Sequence, residues 1–340
     1  MPRSRLFLRT KTLWRLVHSA IVLAAMLLVG LVLVEQEARA APLDAVVGVR
    51  ATIPDNARTA GTLGTQRAGS GVVIGADGLV LTIGYLIMEA ISTEVVLPGE
   101  RVVPAEIVAY DFATGFGLLR TLQPLAIEPM ALGDSGNLME RSEVLVATSD
   151  TSRPVIGALV VSRREFAGYW EYLLPDAIFT SPPHGAFGGA ALIGRDGRLL
   201  GIGSLIVGDA GESGAPLPGN MFVPIDALKP ILDDLLATGR SKVAPKPWLG
   251  LSSEAVRGRV FITRVSPDGP AAKAGLTADD VIVAVRGEPV RDVADFYHKV
   301  WALGRAGIEV PLTVLTPKGM AEVTVRSGDR YDYLKLKPSY

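Results

Sequence analysis

A glycine-rich stretch in the second half of the chain has the spacing of a loop that presents a nucleophile. It reads GAFGGAAL from Gly185 to Leu192, after a Pro-Pro-His turn. A nucleophile loop of the form G-x-S-G-G would have serine at the position of Phe187. A phenyl ring can neither attack an acyl carbon nor lose a proton to a base. The pattern therefore indicates the frame of a nucleophilic site in which the nucleophile is replaced.

The segment around this loop predicts a β structure. From residue 68 to 239, short β-branched and apolar runs such as GVVIG, EVLVAT and LLGIGSLIV alternate with turn signals, including Asp-Gly pairs at Asp77 and Asp196. Runs of this length and spacing favour an all-β barrel or sandwich pair rather than alternating βα units. An amphipathic helix that ends at Gly239 closes this unit.

A second globular unit is predicted from residue 248 to 326. The stretch RSKVAPKP from 240 to 247 has the composition of a proline-stiffened linker. After it, VFITRVS, DVIVAVRG and EVPLTVLT are typical of strands, and DVADFYHKVWALG is typical of a helix with Asp292 as its N-cap. Residues 327–340 are left as a C-terminal tail.

The first 40 residues have the pattern of a targeting segment. Five Lys and Arg residues without any acid precede an almost wholly apolar run from 16 to 34, and Ala38-Arg39-Ala40 follows as an A-x-A cleavage site. This apolar leader helix fits both a cleaved signal peptide and a single membrane anchor. Both alternatives export the rest of the chain, so the body is predicted to be periplasmic. Residues 41–67 are interpreted as a linker.

Composition excludes several kinds of partner and chemistry. The formal net charge is −1, which offers no broad basic surface for nucleic acid. The chain has no cysteine, which excludes disulfides and thiolate catalysis. No metal-binding motif is present, and the sequence predicts neither a metal nor another cofactor.

Several segments in order resemble a known family. GSGVVIGADGLVLTIGYLI, AEIVAYDFATGFGLL, LGDSGNLMERSEVLV and HGAFGGAALIGRDGRLLGI are similar to the HtrA (DegP-like) serine proteases. WLGL and VSPDGPAAKAGLTADDVIVAVRGEPV are similar to their C-terminal PDZ domain. The resemblance extends from about residue 69 to 325. It implies a mainly β protein with a trypsin-like double β-barrel followed by a PDZ domain.

The resemblance also identifies the positions of the catalytic triad. The family's histidine follows T-N-N, and here T-I-G leads to Tyr85. Its aspartate follows D-x-x-T, and here D-F-A-T leads to Gly115, while Phe187 stands in place of serine. Main-chain N–H groups of Gly185 and Phe187 would keep a residual oxyanion-type loop. Ser181 and His184 are the one hydroxyl and imidazole pair near this loop in the sequence.

These replacements predict a protein that is not an enzyme, a pseudoprotease that binds and scaffolds other proteins. Two alternatives remain open: a serine-type endopeptidase in envelope protein quality control, and a non-catalytic subunit that modulates an active homologue. Expected partners are C-terminal or extended segments of envelope proteins, an active homologue, or copies of the chain itself.

The resemblance places peptide binding in the PDZ domain. Its carboxylate-binding loop corresponds to the four residues from Trp248 to Leu251, where successive main-chain N–H groups would hold a peptide C-terminus and the adjacent strand would pair with the peptide. The helix at 293–303 would form the other wall, and Phe296, Tyr297, Val300 and Trp301 are its candidate apolar contacts. The predicted peptide-binding residues are Trp248, Leu249, Gly250, Leu251, Phe296 and Val300.

Overall fold

The computed structural model describes residues 43–211 and 216–334. The predicted leader lies outside these residues, so its role as signal peptide or anchor stays a prediction. Among the described residues, none of the helices has both the length and the apolar composition needed to cross a membrane.

The first domain begins with a closed antiparallel barrel of six strands in the order β1-β2-β3-β6-β5-β4. Its interior is filled by valine, leucine and isoleucine side chains that are fully buried, such as Val72, Val80 and Leu118. Closure removes the free strand edges that an open sheet would expose. The strands are β1 (Val46–Thr52), β2 (Gln66–Val73), β3 (Leu79–Ile83), β4 (Ser92–Val96), β5 (Val102–Tyr110) and β6 (Phe116–Thr121).

A second closed barrel follows, in the order β10-β11-β12-β9-β8-β7. A helix, α2 (Leu232–Thr238), follows it and ends at Gly239, as the sequence predicts; Gly239 adopts the left-handed conformation. A four-residue helix, α1 (Ala60–Leu63), lies earlier in the chain, between β1 and β2 of the first barrel. The strands are β7 (Glu143–Ala147), β8 (Val155–Gly168), β9 (Tyr172–Ser181), β10 (Ala191–Ile193), β11 (Leu199–Val207) and β12 (Gly219–Pro224).

The prediction of a linker over residues 41–67 is wrong for residues 46–52. Residues 46–52 form β1, which pairs with β2 on one side and β4 on the other. The motif V-V-G-V is short and interrupted by Gly48, so its sequence carries no clear strand period. Pairing with two strands that follow later in the chain decides its conformation, and such non-local pairing is invisible in a local pattern.

The PDZ domain is a sheet in the order β13-β14-β15-β17-β18, with β16 paired to β15. Asp292 caps the main helix as predicted, because its side chain accepts a hydrogen bond from Asp295 N–H at 2.8 Å. The helices are α3 (Pro270–Lys273) and α4 (Val293–Ala302). The strands are β13 (Leu251–Val256), β14 (Arg259–Val265), β15 (Val281–Val285), β16 (Glu288–Pro289), β17 (Glu309–Thr316) and β18 (Gly319–Arg326).

The predicted tail also contains ordered structure. Gly328 forms a bridge to Trp248, and a short helix α5 (Arg330–Tyr333) follows it. The Tyr331 hydroxyl donates a hydrogen bond to Tyr110 O at 2.8 Å, at the end of β5 in the first barrel. The segment 327–334 therefore joins the PDZ domain to the first barrel, and the interpretation as a free tail is wrong for these residues.

Candidate functional site

The glycine-rich loop is held between the two barrels. Ser70 N–H on β2 donates to Gly188 O at 2.8 Å, and Gly189 N–H donates to Gly203 O on β11 at 2.8 Å. Gly189 has φ +76°, and a Cβ atom there would lie 1.8 Å from Ser70 O, so no other residue fits without moving the loop. Two contacts therefore fix the loop from opposite sides.

Two main-chain donors of this loop remain available. Among the described residues, the N–H groups of Gly185 and Phe187 donate no hydrogen bond, and the Phe187 side chain is half-buried. Main-chain N–H groups without acceptors can hold an anion where they point to the same place. The role of Gly185 and Phe187 as an oxyanion-type pair stays a prediction.

Tyr85 connects the two barrels beside this loop. It lies in the short 3-10 helix Gly84–Leu86 after β3, and its hydroxyl donates to Ser204 O on β11 at 3.0 Å. Burial raises the pKa of Tyr85 well above its ordinary value. The phenol is therefore neutral at physiological pH, where it donates a hydrogen bond and cannot serve as a general base.

Gly115 lies at the end of a tight turn and contacts Gly84, the residue before Tyr85. The turn begins at Asp111, whose carboxylate accepts hydrogen bonds from the N–H and hydroxyl of Thr114. Gly115 has φ +84°, and its carbonyl accepts a hydrogen bond from Gly84 N–H at 2.7 Å. The structure thus brings together the segments that contain positions 85 and 115, and Gly188 lies near the Tyr85 hydroxyl. Their assignment to the family's triad positions stays a prediction.

Ser181 and His184 do not form a pair. The Ser181 hydroxyl donates to Pro218 O at 2.8 Å. His184 is only 2% exposed; its Nε2 contacts Arg153 O at 2.7 Å and its Nδ1 accepts from Ala186 N–H. These bonds assign the neutral tautomer with the proton on Nε2, because Nδ1 is an acceptor. Both side chains are engaged in holding the loop.

The predicted carboxylate-binding loop of the PDZ domain binds a carboxylate from the second barrel. Leu249 N–H donates to Glu171 Oε1 at 2.6 Å, and Gly250 and Leu251 N–H donate to Glu171 Oε2 at 2.9 and 3.3 Å. Burial raises the pKa of Glu171 to about 7, although these three amides and the charge of Arg330 favour the ionised form. Three of the four predicted loop residues thus act through their main chain, while Trp248 pairs with Gly328.

The side chains that α4 directs to the groove differ from the predicted ones. Phe296 and Val300 are 0% and 1% exposed and belong to the PDZ core. Tyr297, one of the other candidates, directs its hydroxyl to the segment that carries Glu171: it donates to Gly168 O at 2.9 Å and accepts from Glu171 N–H at 3.0 Å. The contribution of Phe296 and Val300 to peptide binding stays a prediction.

Glu171 itself was missed by sequence reasoning. It lies in EFAGYWEYLL, which contains no motif, and only the fold brings it to a loop that follows about 80 residues later in the chain. The described residues contain no group of three or more His, Cys, Asp or Glu side chains that could hold a metal.

Two closed barrels with a glycine-rich loop at their junction, followed by a PDZ sheet, define a trypsin-like peptidase fold joined to a PDZ domain. Residues 69–202 match the trypsin-like peptidase domain family, and residues 247–326 match the PDZ domain family. The chain thus contains a trypsin-like peptidase domain followed by a PDZ domain, and it is similar to the DegP-like and DegS serine endoproteases.

The similar proteins are named as serine endoproteases. A probable periplasmic serine endoprotease DegP-like of Pseudomonas fulva is 27% identical over 82% of this chain, which spans 60% of that relative. The serine endoprotease DegS of Escherichia coli is 27% identical, and the match covers 76% of each protein.

Solved structures support the same fold. The HtrA-type protease AlgW with decapeptide has a TM-score of 0.52 at 21% identity, covering 86% of this chain and 98% of that one. The serine endoprotease from Yersinia pestis gives a TM-score of 0.50 at 21% identity, covering 86% of this chain and 97% of that one.

These relatives contradict the prediction that the protein is a non-enzymatic scaffold. Their names assign them to the serine endoproteases, which favours the alternative of a serine-type endopeptidase. The prediction of inactivity rested on the residue types at three motif positions, and residue types alone do not measure hydrolysis. Association with an active homologue or with further copies of the chain stays a prediction.

Proposed function

We propose that the protein recognises polypeptide segments in the cell envelope and holds their C-terminal carboxylates in its PDZ loop. The observation that carries the proposal is the convergence of three main-chain N–H groups, of Leu249, Gly250 and Leu251, on one carboxylate. Such a set of amides recognises a carboxylate whatever its source, and the edge of a neighbouring strand can pair with the backbone of a peptide. The periplasmic designation of the Pseudomonas fulva relative supports an envelope location.

The proposal is tested with a fluorescent decapeptide library that ends in a free carboxylate and is randomised at its last four positions. We expect the full-length protein to bind it and to bind the C-terminally amidated library at least tenfold more weakly. Leu249→Pro removes one N–H donor of the loop, so this variant should lose binding. Equal binding of the acid and amide libraries would contradict the proposal.

A second function that we propose is serine-type endopeptidase activity in envelope protein quality control. The names of the relatives favour it, and the free N–H groups of Gly185 and Phe187 supply donors suited to an oxyanion. Phenylalanine has no nucleophilic atom, so the activity requires a hydroxyl from another position of the chain.

Unfolded casein and an alkyl fluorophosphonate test this activity. We expect cleavage that the probe abolishes, and mass spectrometry of the labelled protein then identifies the reacting serine. Gly189→Ala serves as the control for a contaminating protease, because a Cβ there collides with Ser70 O and displaces the loop. Activity retained by this variant, or no cleavage and no labelling by the unaltered protein, would refute the endopeptidase proposal.

A further inference from the structure

The tip of the β8–β9 hairpin has an unusual shape. Gly168 pairs with Tyr172, so the hairpin turns through only three residues, Tyr169 to Glu171. Such a loop places its last residue in the left-handed conformation, where glycine is favoured. Here that residue is Glu171, with φ +57°. A glutamate in this conformation costs backbone energy, and such strain persists only where surrounding contacts compensate for it.

Contacts in the PDZ domain provide that compensation. Glu171 is 7% exposed, and its two carboxylate oxygens accept the three hydrogen bonds from residues 249 to 251 at 2.6–3.3 Å. These amides are the ones that hold the C-terminal carboxylate of a peptide in a PDZ domain. The side-chain carboxylate of Glu171 therefore occupies the place of a peptide terminus.

The main chain of the hairpin tip also occupies the groove. Ser253 N–H on β13 donates to Tyr169 O at 2.9 Å, which is the kind of bond that a bound peptide strand would form. From the opposite wall, the Tyr297 hydroxyl holds Gly168 O and Glu171 N–H. Both walls of the groove thus contact the segment from 168 to 171.

The attachment extends beyond the tip. Leu173, on β9, is buried in the PDZ core, and Glu165, on β8, contacts His298 Nε2 at 2.8 Å. Arg330, which lies on α5, donates a hydrogen bond to Trp170 O at 3.1 Å. The hairpin is therefore bound to the PDZ domain on several sides, and its release breaks a set of contacts together.

We propose that the segment from Gly168 to Glu171 is an internal ligand that closes the PDZ groove. A peptide with a free C-terminal carboxylate binds by displacing Glu171 from the amides of Leu249–Leu251. This inference rests on the proposed peptide recognition and adds that the groove is closed in the resting protein. Because of this competition, the apparent affinity for a peptide equals the affinity of the open groove multiplied by the fraction of molecules in which the groove is open.

The decisive variant is Glu171→Ala in the full-length protein. This variant lacks the competing carboxylate and keeps the three amides in place. We therefore expect the free-carboxylate library to bind at least tenfold more tightly to Glu171→Ala than to the unaltered protein. The matched control is Glu143→Ala, an exposed glutamate on β7 whose partner is Arg195. This control should bind as the unaltered protein does. Equal affinity of Glu171→Ala and the unaltered protein would overturn the internal ligand and leave peptide recognition intact.

A second variant covers the case in which Glu171→Ala fails to fold. Tyr297→Phe removes the hydroxyl that holds Gly168 and Glu171 but keeps the ring in place, stacked on Trp301 at 5.4 Å. We expect it to bind the library several-fold more tightly. An affinity unchanged in Tyr297→Phe, or lowered, would count against the proposal.

Amide hydrogen exchange separates this inference from the proposed peptide recognition. Without any peptide, the N–H groups of Leu249, Gly250 and Leu251 should exchange at least tenfold more slowly in the unaltered protein than in Glu171→Ala. That difference would support the internal ligand even if no peptide bound to any variant. A lack of peptide binding would refute only the proposed peptide recognition. Equal exchange in both proteins would overturn the internal ligand.

Discussion

At the scale of single residues, Glu171 is subject to opposing effects. Removal from water disfavours its charge, whereas three amides and Arg330 favour it, and burial is the largest contribution. The result is a pKa of about 7 in the closed groove. In water a glutamate has a pKa of about 4.3. At pH values between these two pKa values, Glu171 is protonated in the closed state and ionised in the open state. Lowering the pH through this range therefore favours the closed state.

This difference predicts the pH dependence of peptide binding. Affinity for the free-carboxylate library should rise roughly tenfold or more from pH 5 to pH 8, since the peptide terminus itself stays ionised over this range. Burial raises the pKa of Tyr297 above its ordinary value, so the hydroxyl that contacts this segment stays neutral over the range. Fluorescence polarisation across this range is the measurement.

Two variants identify the group responsible. Glu171→Gln should abolish the pH dependence, because its amide does not titrate. The second variant is His298→Gln, because histidines often change charge in this range and His298 joins α4 to Glu165 on the same hairpin. The rise should persist in His298→Gln. A peptide affinity that decreases from pH 5 to pH 8 in the unaltered protein would contradict the assignment to Glu171.

At the scale of elements, β1 shows how much a single strand contributes. It closes the first barrel through pairs with β2 and β4, and Val47 and Val49 are each 1% exposed while Arg50 faces solvent. Without it, both neighbouring strands would expose an edge. The strand therefore belongs to the core of the protein rather than to a spacer.

Substitutions at adjacent positions of β1 test this role. Val49→Asp places an unpaired charge in the barrel interior and should lower the free energy of unfolding by about 4 kcal/mol or more. Arg50→Asp, one residue later on the outer face, should change it by less than about 1 kcal/mol. Urea denaturation followed by circular dichroism measures both. Similar losses in the two variants would mean that β1 is not part of the barrel.

At the scale of the whole molecule, the PDZ domain is attached to the barrels at separate places. One attachment is the β8–β9 hairpin, and another is α5. On α5, the Tyr331 ring lies edge-on to the Phe112 ring, with 4.5 Å between their centroids. The Arg240 guanidinium lies over the Tyr331 ring, 4.3 Å from its centroid. Between these attachments lies a cavity of about 320 Å³, lined by residues of the linker and by Glu171. The linker thus passes beside an open space, while the flanking contacts hold the domains together.

Removal of the α5 attachment should weaken the whole assembly. Tyr331→Ala loses the ring contacts and the bond to Tyr110 O, and we expect the free energy of unfolding to fall by about 2 kcal/mol. Tyr331→Phe keeps the ring and should lose only about 1 kcal/mol. Tryptophan fluorescence in urea measures both values. An unchanged midpoint in Tyr331→Ala would show that α5 does not stabilise the protein.

The local sequence determined those features whose cause is local. Recurrent apolar runs predicted the strands of both barrels other than β1, Asp292 and Gly239 marked helix ends, and the motif order indicated the similarity to the HtrA proteases. These features depend on side-chain alternation, capping bonds and the backbone freedom of glycine, which act within a few residues. The same local information could not predict enzymatic activity, and there the inference from three motif positions was wrong.

Only the tertiary structure decided what fills the PDZ groove. The amides of Leu249–Leu251 could be predicted from W-L-G-L, but their acceptor Glu171 lies about 80 residues earlier in a segment without a motif. The same holds for β1 and α5, whose partners lie elsewhere in the chain. Hydrogen bonds and burial between distant segments depend on the folded arrangement of both, and no local period records that arrangement.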